Sequence, residues 1–107
     1  MPEKIITEKD WKLFRKMLPT WQERYMETLI NDYEAILVSA ADASDKFWKL
    51  EKRIRNDKKK SGVCVTEMSR SQMFANIMVL LDEKVITLDD LEGFSDSLRE
   101  RIEFLHR

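Results

Sequence analysis

A chain of 107 residues is the size of one domain, large enough to bury roughly two-thirds of its unfolded surface without a metal or disulfide. It is 43% apolar and 36% charged with only two Gly and two Pro, which argues against an all-β sandwich or a disordered tail and for long helices. The formal net charge is only −1, so the layout of charge along the chain carries more than its sum.

The expected fold is all-α: a compact bundle of four to five helices forming a single domain over residues 1–107. The longest aliphatic run, Ile77 to Leu81, is far short of the ~20 residues that a bilayer demands. Lys4 is followed only by Ile5 and Ile6 before Thr7 and Glu8, too little for the apolar stretch of a secretory leader. Cys64 is the single cysteine and has no partner for an internal disulfide, which suits a reducing compartment. The expected location is cytoplasmic, with no membrane association.

The first helix is expected over 8–17. Thr7 and Asp10 form a reciprocal capping pair, Ile6 and Trp11 an apolar staple across it, and Trp11, Phe14, Met17 and Leu18 fall on one side. Pro19 should end this helix, because a proline disfavours helical geometry at the residue before it. Thr20 and Glu23 make a further capping pair, so a second helix is expected from 20 to 41.

From Met26 to Ile54 a seven-residue spacing holds. Met26, Tyr33, Ala40, Phe47 and Ile54 form one row, with Leu29, Ile36, Ala43 and Leu50 beside it. Ile30 and Leu37 widen the stripe in its first half, which reads as a core-facing helix more than a coiled-coil seam. The stripe thins through Ala40, Ala41, Ala43 and Ser44, and two readings compete: one helix across 20–59, or a break between 40 and 45 with Asp42 or Ser44 as the new cap. An unbroken helix would be about 60 Å long, too long for one small core to cover. The break is favoured, with a third helix over 44–59; an unbroken helix would instead point to a dimer.

Lys58, Lys59 and Lys60 suit the negative end of that helix, and Gly62 can take a left-handed terminating conformation. Val63 to Val65 reads as a short extended connector. A helix over 70–83 follows, its start marked by Met68, Ser69, Gln72 and Met73, burying Met73, Phe74, Ile77, Met78 and Leu81. The last is expected over 88–105, started by Ile86, Thr87, Asp90 and Leu91 and burying Leu91, Phe94, Leu98, Ile102 and Leu105, with Gly93 tolerated inside it. The short link Lys84 to Thr87 makes these two a hairpin.

The inventory for catalysis is poor. His106 is the only histidine and lies beside the C-terminus, where it suits a helix end. Cys64, between Val63 and Val65, has no basic neighbour to activate it and reads as a buried, inert thiol. The acidic pairs Asp82–Glu83 and Asp89–Asp90 could serve acid–base chemistry, but Asp89 and Asp90 occupy a helix first turn, where negative charge is favourable anyway. No His or Cys pair has metal-ligand spacing, and two glycines leave no phosphate-binding loop. No enzyme, no cofactor and no metal are expected.

Between Lys49 and Lys60, seven basic residues face two acids; between Asp82 and Glu103, eight acids face three bases. Three readings of this asymmetry are open. The basic helix end can meet the acidic hairpin, within the molecule or across a dimer; it can track a phosphate backbone with Phe47 and Trp48 stacking; or both can be solvated faces. Candidate residues for a partner or nucleic-acid surface are Trp48, Lys49, Lys52, Arg53, Arg55, Lys58, Lys59 and Lys60. Five methionines after Met1 could form an adaptable protein-binding groove, although Met26 and Met73 fall on core stripes.

Three blocks carry a resemblance: Leu18 to Met26 (LPTWQERYM), Asp45 to Ile54 (DKFWKLEKRI) and Val85 to Asp96 (VITLDDLEGFSD). In this order they resemble a family of small uncharacterised proteins carried on conjugative transposons of Gram-positive gut bacteria, some of them labelled multidrug transporters. That label does not suit a chain without a membrane-spanning stretch. The resemblance implies a mobile-element setting and transfers no activity and no site residue. The expected role is a non-catalytic protein-interaction or accessory module with a protein partner or as a homodimer; the alternative is a nucleic-acid-associated accessory protein using segment 49–60.

Overall fold

The computed structural model describes residues 7–106. It is an all-α bundle of four helices and one 3-10 turn, with no strand among the described residues: α1 (Glu8–Leu37), α2 (Ala43–Asp57), α3 (Met73–Asp82), the 3-10 turn (Leu88–Leu91) and α4 (Asp96–Leu105).

Helix α1 starts where the sequence places it. The Thr7 hydroxyl accepts the Asp10 N–H at 3.0 Å, and the Thr7 N–H donates back to Asp10 Oδ2 at 3.4 Å. Ile6, the outer half of the expected staple, lies outside the described residues.

The expected stop at Pro19 does not occur. The helices expected over 8–17 and 20–41 merge into one helix of 30 residues, Glu8–Leu37, and Thr20 sits exposed in its middle, not at a cap. Proline removes one bond, to the carbonyl of Arg15, and costs up to about 3 kcal/mol inside a helix. Pro19 and Arg15 both face water, so that carbonyl can be solvated. Phe14, Leu18 and Trp21 meanwhile continue one buried face across the proline, and burying side chains of that size outweighs a single lost bond.

The favoured break between the second and third helices is present. α1 ends at Leu37, and Asp42, in an extended conformation, precedes α2 without a side-chain capping bond. Gly62 does not take the expected left-handed conformation, since no glycine has positive φ. It is needed for another reason: a β-carbon there would lie 2.7 Å from Cγ and Cε2 of the Tyr25 ring. A turn over 61–63 takes in the first residue of the expected connector, and Cys64 and Val65 follow it without regular structure; Cys64 is exposed, not buried, between two half-buried valines.

Helix α3 starts later than expected. The Ser69 hydroxyl accepts the Gln72 N–H at 3.3 Å, but this closes a turn over 69–72, and regular helix begins at Met73. It ends on Lys84, the one non-glycine residue with positive φ (60°) among those described. The Val85 N–H reaches the Leu80 carbonyl at 2.9 Å and the Lys84 N–H the Leu81 carbonyl at 3.1 Å, the paired bonds of a Schellman ending.

The expected helix over 88–105 is divided. Leu88–Leu91 is a 3-10 turn, Gly93 lies in the bend that follows, and Ser95 starts α4 by accepting the Leu98 N–H. The division places Leu91, Phe94, Leu98 and Ile102 all in the core, whereas Leu105 stays exposed.

These elements make two regions. In the head, the first half of α1 lays Trp11, Phe14, Leu18 and Trp21 against α3, the Val85–Ile86 link, the 3-10 turn and α4. Trp11, Phe14, Trp21 and Phe94 run as a chain of ring contacts with centroids 6.1–6.3 Å apart. In the arm, the second half of α1 pairs antiparallel with α2 and projects beyond the head. The molecule measures 60 × 24 × 23 Å with a radius of gyration of 17.0 Å, against about 13 Å for an evenly packed chain of this length.

Candidate interaction surface

The arm is held closed by polar groups. Tyr33 of α1 donates its hydroxyl to Asp57 Oδ2 at 2.6 Å, and Arg53 of α2 reaches the same Oδ2 at 3.0 Å. The second Arg53 nitrogen bonds Asp32 Oδ2 at 2.8 Å, and its guanidinium lies 5.8 Å from the centre of the Tyr33 ring. One buried carboxylate thus has two donors, and the arginine bridges both helices. Desolvation, the hydrogen bond to Asp57 and the charge of that carboxylate push the Tyr33 phenol up to about 12. The hydrogen bond to Asp32 raises Arg53 further above its already high value. At the base of the arm, Gln22 Nε2 donates to the Ser61 carbonyl, and the Ser61 N–H donates to Glu83.

This clasp defines the arm's flanks. Residues advance 100° per step around a helix, and two antiparallel helices turn in opposite senses when viewed from one end. Side chains rotated the same way from the line of contact therefore emerge on the same side. Asp32 and Arg53 lie on one flank. On the other, Met26, Ile30 and Leu37 of α1 stand beside Phe47, Leu50 and Ile54 of α2. Nothing among the described residues covers them: Ile30 and Leu37 are each 51% exposed, Phe47 62% and Ile54 39%. Shallow depressions lie along each helix here, one lined by Met26 and Ile30 with Glu23 and Glu27, the other by Phe47, Leu50 and Ile54 with Lys58.

The residues singled out from sequence are spread around α2 instead of gathered in one patch. Trp48 is 64% exposed at the outer edge, packed edge-on against Phe47 with ring centroids 5.0 Å apart. Arg53 belongs to the clasp, Arg55 lies 3.5 Å from Glu51, and Lys60 lies 3.9 Å from Glu83. Lys49, Lys52, Lys58 and Lys59 are exposed, and Lys49, Lys52 and Lys59 share the edge remote from the apolar flank. The contact between the basic helix end and the acidic hairpin is limited to Lys60 and Glu83.

Of the other candidates, Asp90 is engaged by a bidentate Arg24 at 2.9 and 3.0 Å, and Arg24 also reaches the Val85 carbonyl at 3.3 Å. His106 Nδ1 lies 3.6 Å from Asp82 Oδ1. Among the described residues no group of three His, Cys, Asp or Glu side chains is placed to hold a metal ion, and no helix is long and apolar enough to cross a membrane. Trp21 and Met73 are core residues, so an exposed methionine groove is not formed by them; of the described methionines, Met26 joins the apolar flank.

Sequence reasoning assigned Met26, Ile30, Leu37, Phe47 and Ile54 to apolar stripes but did not see that the stripes stay uncovered. A signal was available. The apolar segments after residue 60 are short, and they cannot cover both the first helix and a hairpin of this length. Compared with protein families, with curated proteins and with solved structures, the chain matches none.

Proposed function

We propose that this chain is a non-catalytic protein-interaction module in which the head is a scaffold and the arm is the docking element, acting as a cytoplasmic accessory of a bacterial mobile element. The observation that carries the docking role is the continuous apolar flank of Met26, Ile30 and Leu37 with Phe47 and Ile54, left in water on a rigid, clasped hairpin. Contiguous apolar surface of this kind marks interaction sites in soluble proteins. The mobile-element setting rests on the three resemblance blocks, two of which lie on the arm helices. The basic segment argues less for nucleic acid, because Arg53, Arg55 and Lys60 already face carboxylates and the exposed lysines are divided between two edges.

A photo-crosslinking residue at Ile54, compared with one at Glu100 on α4, tests this in cells. The docking reading expects nuclease-resistant protein adducts from position 54 and not from position 100. Equal labelling from both, or adducts that nuclease removes, overturns it. Salt-sensitive DNA binding at 50 mM salt that is lost in a Lys49→Glu, Lys52→Glu, Lys59→Glu variant would establish the nucleic-acid role instead.

A further inference from the structure

The geometry points to a second copy of this chain as the occupant of the arm's apolar flank, two arms meeting face to face as a four-helix bundle with both heads at the same end; this rests on the docking role proposed above. A hairpin of two antiparallel helices with one apolar side is half of such a bundle, and stacking two of them gives each helix neighbours on two sides. The free part of α1, residues 22–37, makes a face about 24 Å long, and two helices abreast are about 20 Å wide. With side-chain relief, covering it removes several hundred Å² from each partner, near the lower bound of a stable specific interface.

Charge selects the arrangement. The outer margin of the apolar flank on α1 carries Glu23, Glu27 and Glu34, with no base among them. The outer margin on α2 carries Lys58 and Arg55 with one acid, Glu51. A twofold axis across the arm would stack α1 on its own copy and set three carboxylates against three. A twofold axis along the arm sets α1 of one copy beside α2 of the other. The Tyr33–Asp57 and Asp32–Arg53 bonds fix the level of the two helices. At that level Glu34 comes opposite Arg55 of the second copy and Glu27 opposite Lys58, and all neighbouring helices run antiparallel.

The heads leave room for this. The face of α1 that enters the head core carries Trp11, Phe14, Leu18 and Trp21, rotated toward the clasp flank. On the apolar flank, α1 continues through the head as Pro19, Lys16 and Lys12, all exposed. Each head therefore lies on the side away from the second copy.

Light scattering on the purified full chain, with sedimentation equilibrium over a concentration series, tests the assignment. The wild type is expected at twice the 12.8 kDa chain mass, and Phe47→Glu or Ile54→Glu at the single mass with unchanged helical circular dichroism. Both positions are too exposed for loss of fold to explain the change. Glu27→Lys and Lys58→Glu should each weaken the dimer about ten-fold, and the double variant should recover it, since each contact occurs twice by symmetry. A wild type that stays monomeric at 100 µM overturns the second copy as occupant. If position 54 still crosslinks to a different protein, the docking role stands without it; if it crosslinks to nothing, both fall. A dimer that survives both glutamate variants, or charge swaps without mutual rescue, overturns the bundle geometry.

Discussion

Asp10 and Ser95 tie two helix starts to one carboxylate. Asp10 Oδ1 accepts the Ser95 N–H at 2.8 Å, and Oδ2 accepts the Ser95 hydroxyl at 2.6 Å and the Thr7 N–H at 3.4 Å. Only 2% of Asp10 is exposed, so these donors replace water around a buried charge. The same residue closes the capping box of α1 and sets where α4 begins, which fixes the angle at which the C-terminal helix meets the core.

Asp10→Ala should therefore cost about 3 kcal/mol, since bonds to a charged group are each worth about 1.5–3 kcal/mol and two buried donors are left unmet. Asp10→Asn should cost nearly as much, because its amide nitrogen would face a donor. Urea unfolding followed by circular dichroism gives the values. A loss below 1 kcal/mol would mean that water reaches this junction.

Lys84 holds a left-handed conformation that side chains disfavour, because the Schellman ending of α3 needs it there to bring Val85 back over Leu80. Lys84→Gly relieves this strain at the cost of a looser unfolded chain. A net gain of about 0.5–1 kcal/mol is expected, read as a higher urea midpoint with an unchanged slope. Lys84→Val should lose more than that.

Tyr33 supplies a pH signature for the arm. Its phenol is raised from 10 to about 12, first by desolvation and then by the hydrogen bond and charge of Asp57. The folded state thus holds the proton more tightly than the unfolded chain. The stability this contributes is complete below pH 10 and is lost as the pH rises through about 12. Spectrophotometric titration should show both tyrosines ionising above the ordinary phenol value, Tyr25 chiefly through desolvation and Tyr33 the later of the two, and Tyr33→Phe should remove the later step while loosening the arm. Loss of the step near pH 12 from the wild type would mean that the clasp is open in solution.

Arg24 and Asp90 give the opposite slope at low pH. Partial burial pushes the Asp90 carboxyl up, but the Arg24 hydrogen bonds, the Thr87 N–H and the Arg24 charge outweigh it and leave it below its usual 3.8. The pair's contribution is present above that pH and lost as the pH falls through the lowered value. Half of the Arg24 side chain is in water, so less than about 1 kcal/mol is at stake. Arg24→Gln should flatten the acid limb of the stability profile and change little at neutral pH.

Local chemistry made much of the fold legible. Thr7 with Asp10 and Thr87 with Asp90 announced two starts through side chains that reach back three residues, and the thinning at Ala40 to Ser44 announced the turn of the arm. What failed was decided by distant partners. Whether Pro19 stops a helix depends on Trp21 finding the core beyond it, and whether Gly62 needs a special φ depends on Tyr25, 37 positions earlier. The 69–72 capping pair formed its bond but only a turn, because the core takes up α3 from Met73. For the candidate surface, periodicity identified the stripe on α2 and α1 but carried no information on coverage. The basic run drew attention to α2, although Arg53, Arg55 and Lys60 are spent on the chain's own carboxylates and the four exposed lysines lie on two edges.

Pro19 offers the sharpest test of that competition between local and distant forces. In the middle of α1 it leaves the Arg15 carbonyl without its amide partner and crowds the preceding turn, while the residues on either side keep packing in the head. If the helix is continuous because the core overrides the proline, removing it should relieve a standing cost. Pro19→Ala is then expected to stabilise the chain by about 1–3 kcal/mol, less than the full helix-interior penalty because alanine also loosens the unfolded state. The urea midpoint should rise with the slope unchanged. A fall in stability would show instead that the arm and the head depend on a bend at this point, and that Trp21 and Leu29 reach their partners only because the proline supplies it.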